Sequence, residues 1–335
     1  MSDKKRTAFT VSAIVCLAVV LGFSLFLSAS KKDYENSTKN ALSMNTIITV
    51  RTYGENTAPL NETLISIINQ LDGAISRFDE NSLIYELNEN KSLQSNDIAN
   101  LLLLCNEVSK DSGGVFDVTI GPVSSLWKFG TEEESLPDEK KIEEKLSFVD
   151  YGKIRINHSS IEISDGQEID LGAVGKGYAC DLIKEYLQKS DVKGAVVSVG
   201  GSILAYGEKN KAKDPWTVAV KHPRKENAFL GTLSVKEGFI STSGDYERYF
   251  EKDGKRYHHI LDATTGISAE SDLISVTVLC DNGALSDALS NACFILGKYE
   301  GRKLIEKYES HGASAVFVDK NEEISLIGDI DFKKE

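Results

Sequence analysis

The chain has 335 residues, 41% apolar and 27% charged, enough to bury the core of one large domain or two modest ones. Its formal net charge is -13, and Lys4, Lys5 and Arg6 against Asp3 leave -15 for everything after residue 30. So acidic a body excludes nucleic acid as a partner and requires any anionic substrate to be met by a helix terminus, a lysine or a metal cation.

Lys4-Lys5-Arg6 precede Ala8–Ala29, a run of 22 residues without a charge. A bilayer takes roughly 20 apolar residues and a signal-peptide core about 7–15. Residues 1–30 therefore read as a retained single-pass anchor, basic end cytoplasmic, catalytic body outside the cell membrane. Ser28-Ala29-Ser30 leaves cleavage as the alternative. Residues 31–43 read as a polar linker, 44–330 as the folded body and 331–335 as a tail. Five cysteines at 16, 105, 180, 280 and 293 form no C-x-x-C pair, which argues for buried thiols over a zinc or redox centre.

Along the body, Thr46–Tyr53 alternates as a strand, while Pro59–Ile75 and Asn96–Ser112 carry apolar residues at helical spacing. Val115–Ile120 reads as a strand leading into Gly121-Pro122, and Pro137–Leu146 as an exposed helix. Lys153–Asn157, Ser160–Ser164, Gly194–Val199, Trp216–Val220, Gly231–Val235, Phe239–Thr242 and Leu273–Leu279 read as strands. Asn282–Leu296 reads as a helix with Gly297 as its C-cap, and strands near Ala315–Val318 and Ile324–Ile327 close the chain. Strand pairs and helices without regular alternation indicate an α+β fold with mixed or antiparallel sheets and packed helices.

Three clusters carry chemistry. The first is 169–181, where Gly172, Gly175 and Gly177 surround Lys176 at the start of a helical run. Such a turn offers an anion free N–H groups and the positive end of a helix dipole. It is neither a P-loop nor a dinucleotide fingerprint, since Asp170 and Cys180 stand where those motifs need glycine. The second is Asp287 and Asn291, at i and i+4, an oxygen pair suited to Mg2+ or equally to an ordinary surface face. The third is His258-His259, whose rings must point to opposite faces of a strand. One of them is a candidate acid, base or phosphate contact. Asp117-Val-Thr119 and Thr242-Ser243-Gly244 add hydroxyls at tight turns.

In order along the chain stand Met44-Asn45-Thr46, Ser82 to Asn88, Phe116-Asp-Val-Thr-Ile-Gly-Pro122, Leu126-Trp127, Asp170 to Asp181 and Gly200-Gly201. Thr242-Ser243-Gly244, His258-His259-Ile-Leu-Asp262-Ala-Thr-Thr-Gly266 and Asp287-Ala-Leu-Ser-Asn-Ala292 complete the set. This ordered set resembles the ApbE-type FAD:protein FMN transferases over about Met44 to Ile327. The resemblance implies a T-fold-like catalytic body that cleaves FAD with Mg2+ and moves FMN onto a threonine hydroxyl of a target protein, releasing AMP. It implies a metal held by Asp287, Asn291 and the carbonyl of Ala173, with Lys176 and His259 as functional groups; His259 or nearby Asp262 is then the candidate base for the acceptor threonine. It further implies that Met44, Ser82, Asn88, Asp117, Thr119, Gly172, Gly175, Lys176, Gly177, Ser243, Gly244 and His259 form the nucleotide pocket. FAD hydrolysis to FMN and AMP, or FAD carriage without turnover, are the alternative outcomes. Three positions depart from the pattern: Asn291 replaces a usual Thr, Ala263 a common Pro, and Ser202 a frequent acidic or amide residue.

Overall fold

A computed structural model describes residues 33–335; the anchor reading of Ala8–Ala29 lies outside the described residues. The central element is an eight-stranded sheet. In spatial order it contains β1 (Asn36–Ser43), β2 (Thr46–Tyr53), β6 (Gly194–Val199), β7 (Ser202–Gly207), β10 (Gly238–Gly244), β15 (Leu273–Cys280), β16 (Ser314–Asp319) and β17 (Ile324–Ile327). Every neighbouring pair is antiparallel.

Alternate residues of these strands enter two separate cores. Ile48, Val50, Val197, Val199, Phe239, Val276, Val278 and Phe317 face one side. There they meet α1 (Ala58–Ile75), α3 (Asn96–Asp111), α6 (Gly175–Leu187) and α7 (Gly283–Lys307). Ala205, Ile240, Ile274, Val316 and Val318 face the other side, against Trp216, Val218, Val220 and Leu233. Those residues belong to a second sheet of β8 (Trp216–Lys221), β9 (Phe229–Val235) and β18 (Phe332–Lys334). Burial on both faces explains why Leu273–Leu279 reads as a nearly continuous apolar run.

Smaller elements frame one end of the sheet. They are α2 (Leu83–Asn90), β3 (Ser92–Gln94), α4 (Gly121–Trp127), α5 (Glu139–Leu146), β4 (Arg155–Asn157) and β5 (Ser160–Glu162). Hairpins β11 (Tyr249–Lys252)–β12 (Lys255–His258) and β13 (Leu261–Asp262)–β14 (Ile267–Ser268) follow. The first packs Phe250 and Tyr257 on Trp127, whose indole N–H donates to Gly266 O at 3.0 Å. In α7 the backbone breaks at Gly297 (φ 76°, ψ -176°), and Asp272 accepts from Lys298 N at 2.9 Å to start the second half. Cys105, Cys180, Cys280 and Cys293 are buried free thiols.

Four stretches differ from expectation. The linker reading of 31–43 fails from Asn36 on: β1 pairs along its whole length with β2, Asn36 opposite Tyr53 and Ser43 opposite Thr46. Its polar sequence suits the edge of a sheet, where charged and polar residues blunt an unpaired strand. The tail 331–335 supplies β18, with Phe332 opposite Leu233. Val115–Ile120 is a turn, because Asp117 Oδ1 accepts from both the backbone N–H and the hydroxyl of Thr119, each at 2.8 Å. Thr242-Ser243-Gly244 is the end of β10, with Thr242 on Thr277 and Ser243 on Ser290.

Candidate active site

Several motifs that are remote in sequence meet at one end of the main sheet. Thr46 opens β2 and lies against the Gly200–Gly201 turn, where Gly200 adopts φ 60°. Thr242 N donates to Gly201 O at 3.1 Å. The β1–β2 turn places Met44 and Asn45 at φ 50° and 54°, and Met44 N donates to Asp72 on α1 at 2.8 Å. Met44 and Ile75 both press on Gly175, at the start of α6.

The glycine stretch is a turn that delivers α6 against α7. Gly175 N bonds back to Leu171 O and Tyr178 N to Val174 O. Gly177 N instead donates to Asp287 Oδ2 at 2.6 Å, while Asp287 Oδ1 accepts from Ser202 Oγ at 2.6 Å. The Lys176 N–H has no partner among the described residues. Gly177 and Gly283 face each other so closely that a Cβ on Gly177 would lie 2.0 Å from Gly283 O, and one on Gly283 2.2 Å from Gly177 O. Neither position admits a side chain. We expect Gly177→Ala to destabilise the protein by about 1–3 kcal/mol through overpacking, read as a lower urea midpoint at unchanged slope.

Asp181, at the end of the motif, caps α7 by accepting from Gly283 N at 2.7 Å and Ala284 N at 2.8 Å. Burial lifts its carboxyl to about 6 in spite of those bonds. This capping fixes the α6–α7 contact and so the heights of Asp287 and Asn291. Asn291 Nδ2 donates to Ala173 O at 3.3 Å and to Asp287 O at 3.0 Å. Of the three expected metal ligands, Asn291 thus touches Ala173 directly through its Nδ2, while both oxygens of the Asp287 carboxylate accept from Gly177 N and Ser202 Oγ.

His259 reaches the same end from the β12–β13 connection. Its backbone N–H donates to Arg248 O at 3.1 Å, and its Nδ1 lies 3.3 Å from the same oxygen. A carbonyl only accepts, so Nδ1 carries the proton and Nε2 holds the free lone pair. Surrounding protein, then the charges of Lys176 and Arg248, push the ring down to about 3. The outer edge of the residue still meets solvent, and the neighbouring charges of Lys176 and Arg248 act in the same direction as the burial. The imidazole is therefore neutral at pH 7. His258 points the opposite way, buried with Nε2 3.2 Å from Ala269 O, as strand alternation requires.

Other expected site residues have their polar groups engaged inside the protein. Ser82 caps α2 by accepting from Tyr85 N at 2.9 Å and donates to Ser76 O. Asn88 accepts from Ile169 N at 2.6 Å and donates to Ile169 O at 3.0 Å. Asp117 also accepts from Tyr151 N, and Thr119 accepts from Asp150 N at 2.9 Å; burial raises the Asp117 carboxyl over these bonds. Ser243 faces Ser290 at 2.7 Å, and Gly244 gives room to the Tyr246 ring. Asp262 Oδ1 accepts from Thr264 N and Thr264 Oγ1, closing the β13–β14 turn. These bonds hold turns and join neighbouring segments of the protein. The more open expected residues are Met44, Gly172, Lys176 and His259, whereas Gly175 and Gly177 are buried in the contacts with α1 and α7.

A family model described as the ApbE family matches residues 44–317. The chain belongs to the ApbE family. A relative from Klebsiella pneumoniae named FAD:protein FMN transferase is 34% identical, over 63% of this chain and 65% of its own length. Relatives of the same name from Treponema pallidum and Haemophilus influenzae are 28% and 29% identical, spanning 92% and 89% of this chain and 91% and 90% of theirs. Among solved structures, the ApbE protein of Thermotoga maritima matches with a TM-score of 0.80 at 28% identity, covering 88% of this chain and 97% of that one. The apo form of the Pseudomonas stutzeri flavinyl transferase ApbE matches with a TM-score of 0.74 at 27% identity, over 90% and 96%. The antiparallel α+β architecture of this ApbE-family chain is therefore that of its family.

Sequence reasoning missed two parts of the site. Arg248 was not singled out, yet its carbonyl sets the tautomer of His259. Arg77 was assigned no role, although its guanidinium donates to five residues around the glycine turn. A cation inside an otherwise apolar and acidic neighbourhood was the available signal.

Proposed function

We propose that this ApbE-family chain is a Mg2+-dependent FAD:protein FMN transferase that modifies a threonine hydroxyl of an acceptor protein and releases AMP. The observation that supports the reading is the contact of α7 with the glycine turn: Asn291 Nδ2 reaches Ala173 O at 3.3 Å, and Asp287, one turn earlier, accepts from Gly177 N at the start of α6. The residue types suit the ion: Asp287 and the Ala173 carbonyl offer oxygen, and Asn291, which here turns its Nδ2 to Ala173 O, would offer Oδ1 on rotation of its amide; Mg2+ typically takes one or two carboxylates and keeps its remaining positions for water and phosphate. Among the described residues no three His, Cys, Asp or Glu side chains converge, so a nitrogen–sulfur metal centre has no ligand set. Bound there, Mg2+ would neutralise pyrophosphate charge and polarise the phosphoryl oxygens.

The protein's own groups supply the rest. Lys176 and its N–H face phosphate oxygens at the positive end of α6, where negative charge grows during displacement. The neutral Nε2 of His259 takes the proton of the acceptor threonine. The threonine Oγ forms a bond to the FMN phosphorus, the P–O–P bridge breaks, and AMP leaves with the bridging oxygen. Asp262, the other candidate base, has one oxygen committed to its turn and supports His259 by shaping the loop. The extracytoplasmic location rests on Lys4-Lys5-Arg6 and Ala8–Ala29; no helix of the described residues is long and apolar enough to cross a membrane.

Incubation with FAD, Mg2+ and an acceptor domain, followed by intact mass and AMP quantification, tests the reading. The expected result is one FMN added per acceptor with one AMP released. Free FMN and AMP beside unmodified acceptor would make the protein a hydrolase; intact FAD retained on it would make it a carrier.

A further inference from the structure

We infer that Arg77 is a positioning residue, which with Asn88 clamps the entry of the glycine turn and thereby sets the place of the Ala173 carbonyl and of Lys176. The Arg77 guanidinium is 9% exposed and lies at the junction of three segments. Its Nη1 donates to Asp170 Oδ2 at 2.9 Å and to Ser124 Oγ at 2.5 Å. Its Nη2 donates to Gly121 O at 3.0 Å, to Glu168 Oε2 at 3.1 Å and to Ser125 Oγ. Asp170 passes the constraint on, since Oδ1 accepts from Gly172 N at 2.9 Å and Ser124 Oγ donates to Oδ2 at 2.8 Å.

The neighbouring residue is held from the same segment. Asn88 makes both backbone bonds of Ile169, so residues 169 and 170 are gripped in succession, the first by α2 and the second by Arg77 in the stretch that joins α1 to it. Ser82 closes that stretch on itself through Ser76 O. On the far side, Asp170 N donates to Val118 O at 2.8 Å, and a Cβ on Gly121 would lie 2.5 Å from Glu168 O. The turn therefore leaves a rigid frame at Asp170 and has only three residues before the Ala173 carbonyl.

Two physical points make Arg77 specific for this task. A planar guanidinium can serve carboxylate, hydroxyl and carbonyl acceptors at once, whereas a lysine is a point charge with a different reach. Burial of Asp170 raises its carboxyl, but the charge of Arg77, the Gly172 N–H and Ser124 prevail and hold it below the ordinary range, so the pair is ionic at every working pH. Removing the cation leaves a buried carboxylate uncompensated, and the Gly172 end of the turn is released.

The consequence for metal use rests on the transferase reading; the clamp itself does not. The test compares wild type with Arg77→Lys and Ser124→Ala in two measurements. Amide hydrogen exchange is followed at Gly172–Gly177 and, as reference, in β10 and β15. The Mg2+ concentration for half-maximal FMN transfer is measured in parallel. Arg77→Lys is expected to speed exchange in the turn while β10 and β15 stay protected, and to raise half-saturating Mg2+ about 10–100-fold, the range for outer partners of metal ligands. Ser124→Ala should show the same pattern with smaller shifts, and decides the matter if Arg77→Lys does not fold. Unchanged exchange in the turn, or an equal rise across the sheet, would overturn the clamp. If wild type transfers no FMN, the transferase reading fails and the exchange arm still decides the clamp.

Discussion

Asp287→Asn should lower FMN transfer more than about 100-fold, beyond the 10–100-fold expected for outer partners of a metal site, while leaving the protein folded. The carboxylate contributes the only formal negative charge among the three converging oxygen donors. Its neutral isostere removes that charge and keeps the volume. The amide oxygen can still accept from Gly177 N while the NH2 donates to Ser202 Oγ, a hydroxyl that can turn to accept. Even the loss of one buried bond of this kind costs about 1–3 kcal/mol, which a body with two cores tolerates. Initial rates over a Mg2+ series, with a urea midpoint for each variant, separate the two effects. A rate near wild type at ordinary Mg2+ would remove Asp287 from the site. Asn291→Asp provides the opposite probe: it adds charge at the next turn of α7 and should lower half-saturating Mg2+.

His259→Gln should reduce transfer by about 10²–10⁴-fold, the usual contribution of a positioned acid or base, with FAD binding retained. The pH dependence follows from the depressed ring. A base that ionises near 3, not 6.5, is already deprotonated throughout the neutral range, so transfer should be level from about pH 5 to 7. An acid limb centred near 6.5 would contradict the role of Lys176 and Arg248 around the ring. Stability carries the same sign. The unfolded chain protonates His259 first, so the native state loses ground as pH falls from 6.5 toward 3 and regains it as pH rises. A variant lacking the ring should show a weaker acid dependence of the urea midpoint.

How much of this was legible in the residue order depended on the range of the interaction. Periodicity alone located α1, α3, α6 and α7, and the break at Gly297, because an amphipathic helix is written within a few turns of chain. The reading of Val115–Ile120 as a strand failed on one side chain: Asp117 offered its own backbone a turn in place of a ladder. β1 escaped because an edge strand with polar alternation has the composition of a linker. At the site, Asp287 and Asn291 could be paired by helix spacing, whereas the meeting of Asn291 with Ala173, 118 residues away, was available only through resemblance. Asn88 shows the converse. Its place in a motif suggested a ligand contact, but both amide groups are consumed on Ile169, 81 residues away. A motif position marks where a residue matters and leaves open whether it touches the ligand or holds the loop that does.

The direct test of the site is an anomalous difference map from crystals of this protein grown with FAD and Mn2+ in place of Mg2+. A peak about 2.0–2.2 Å from Asp287, Asn291 and the Ala173 carbonyl, with the pyrophosphate against the start of α6, is the predicted result. Metal bound elsewhere, or FAD seated away from Lys176 and His259, would contradict it.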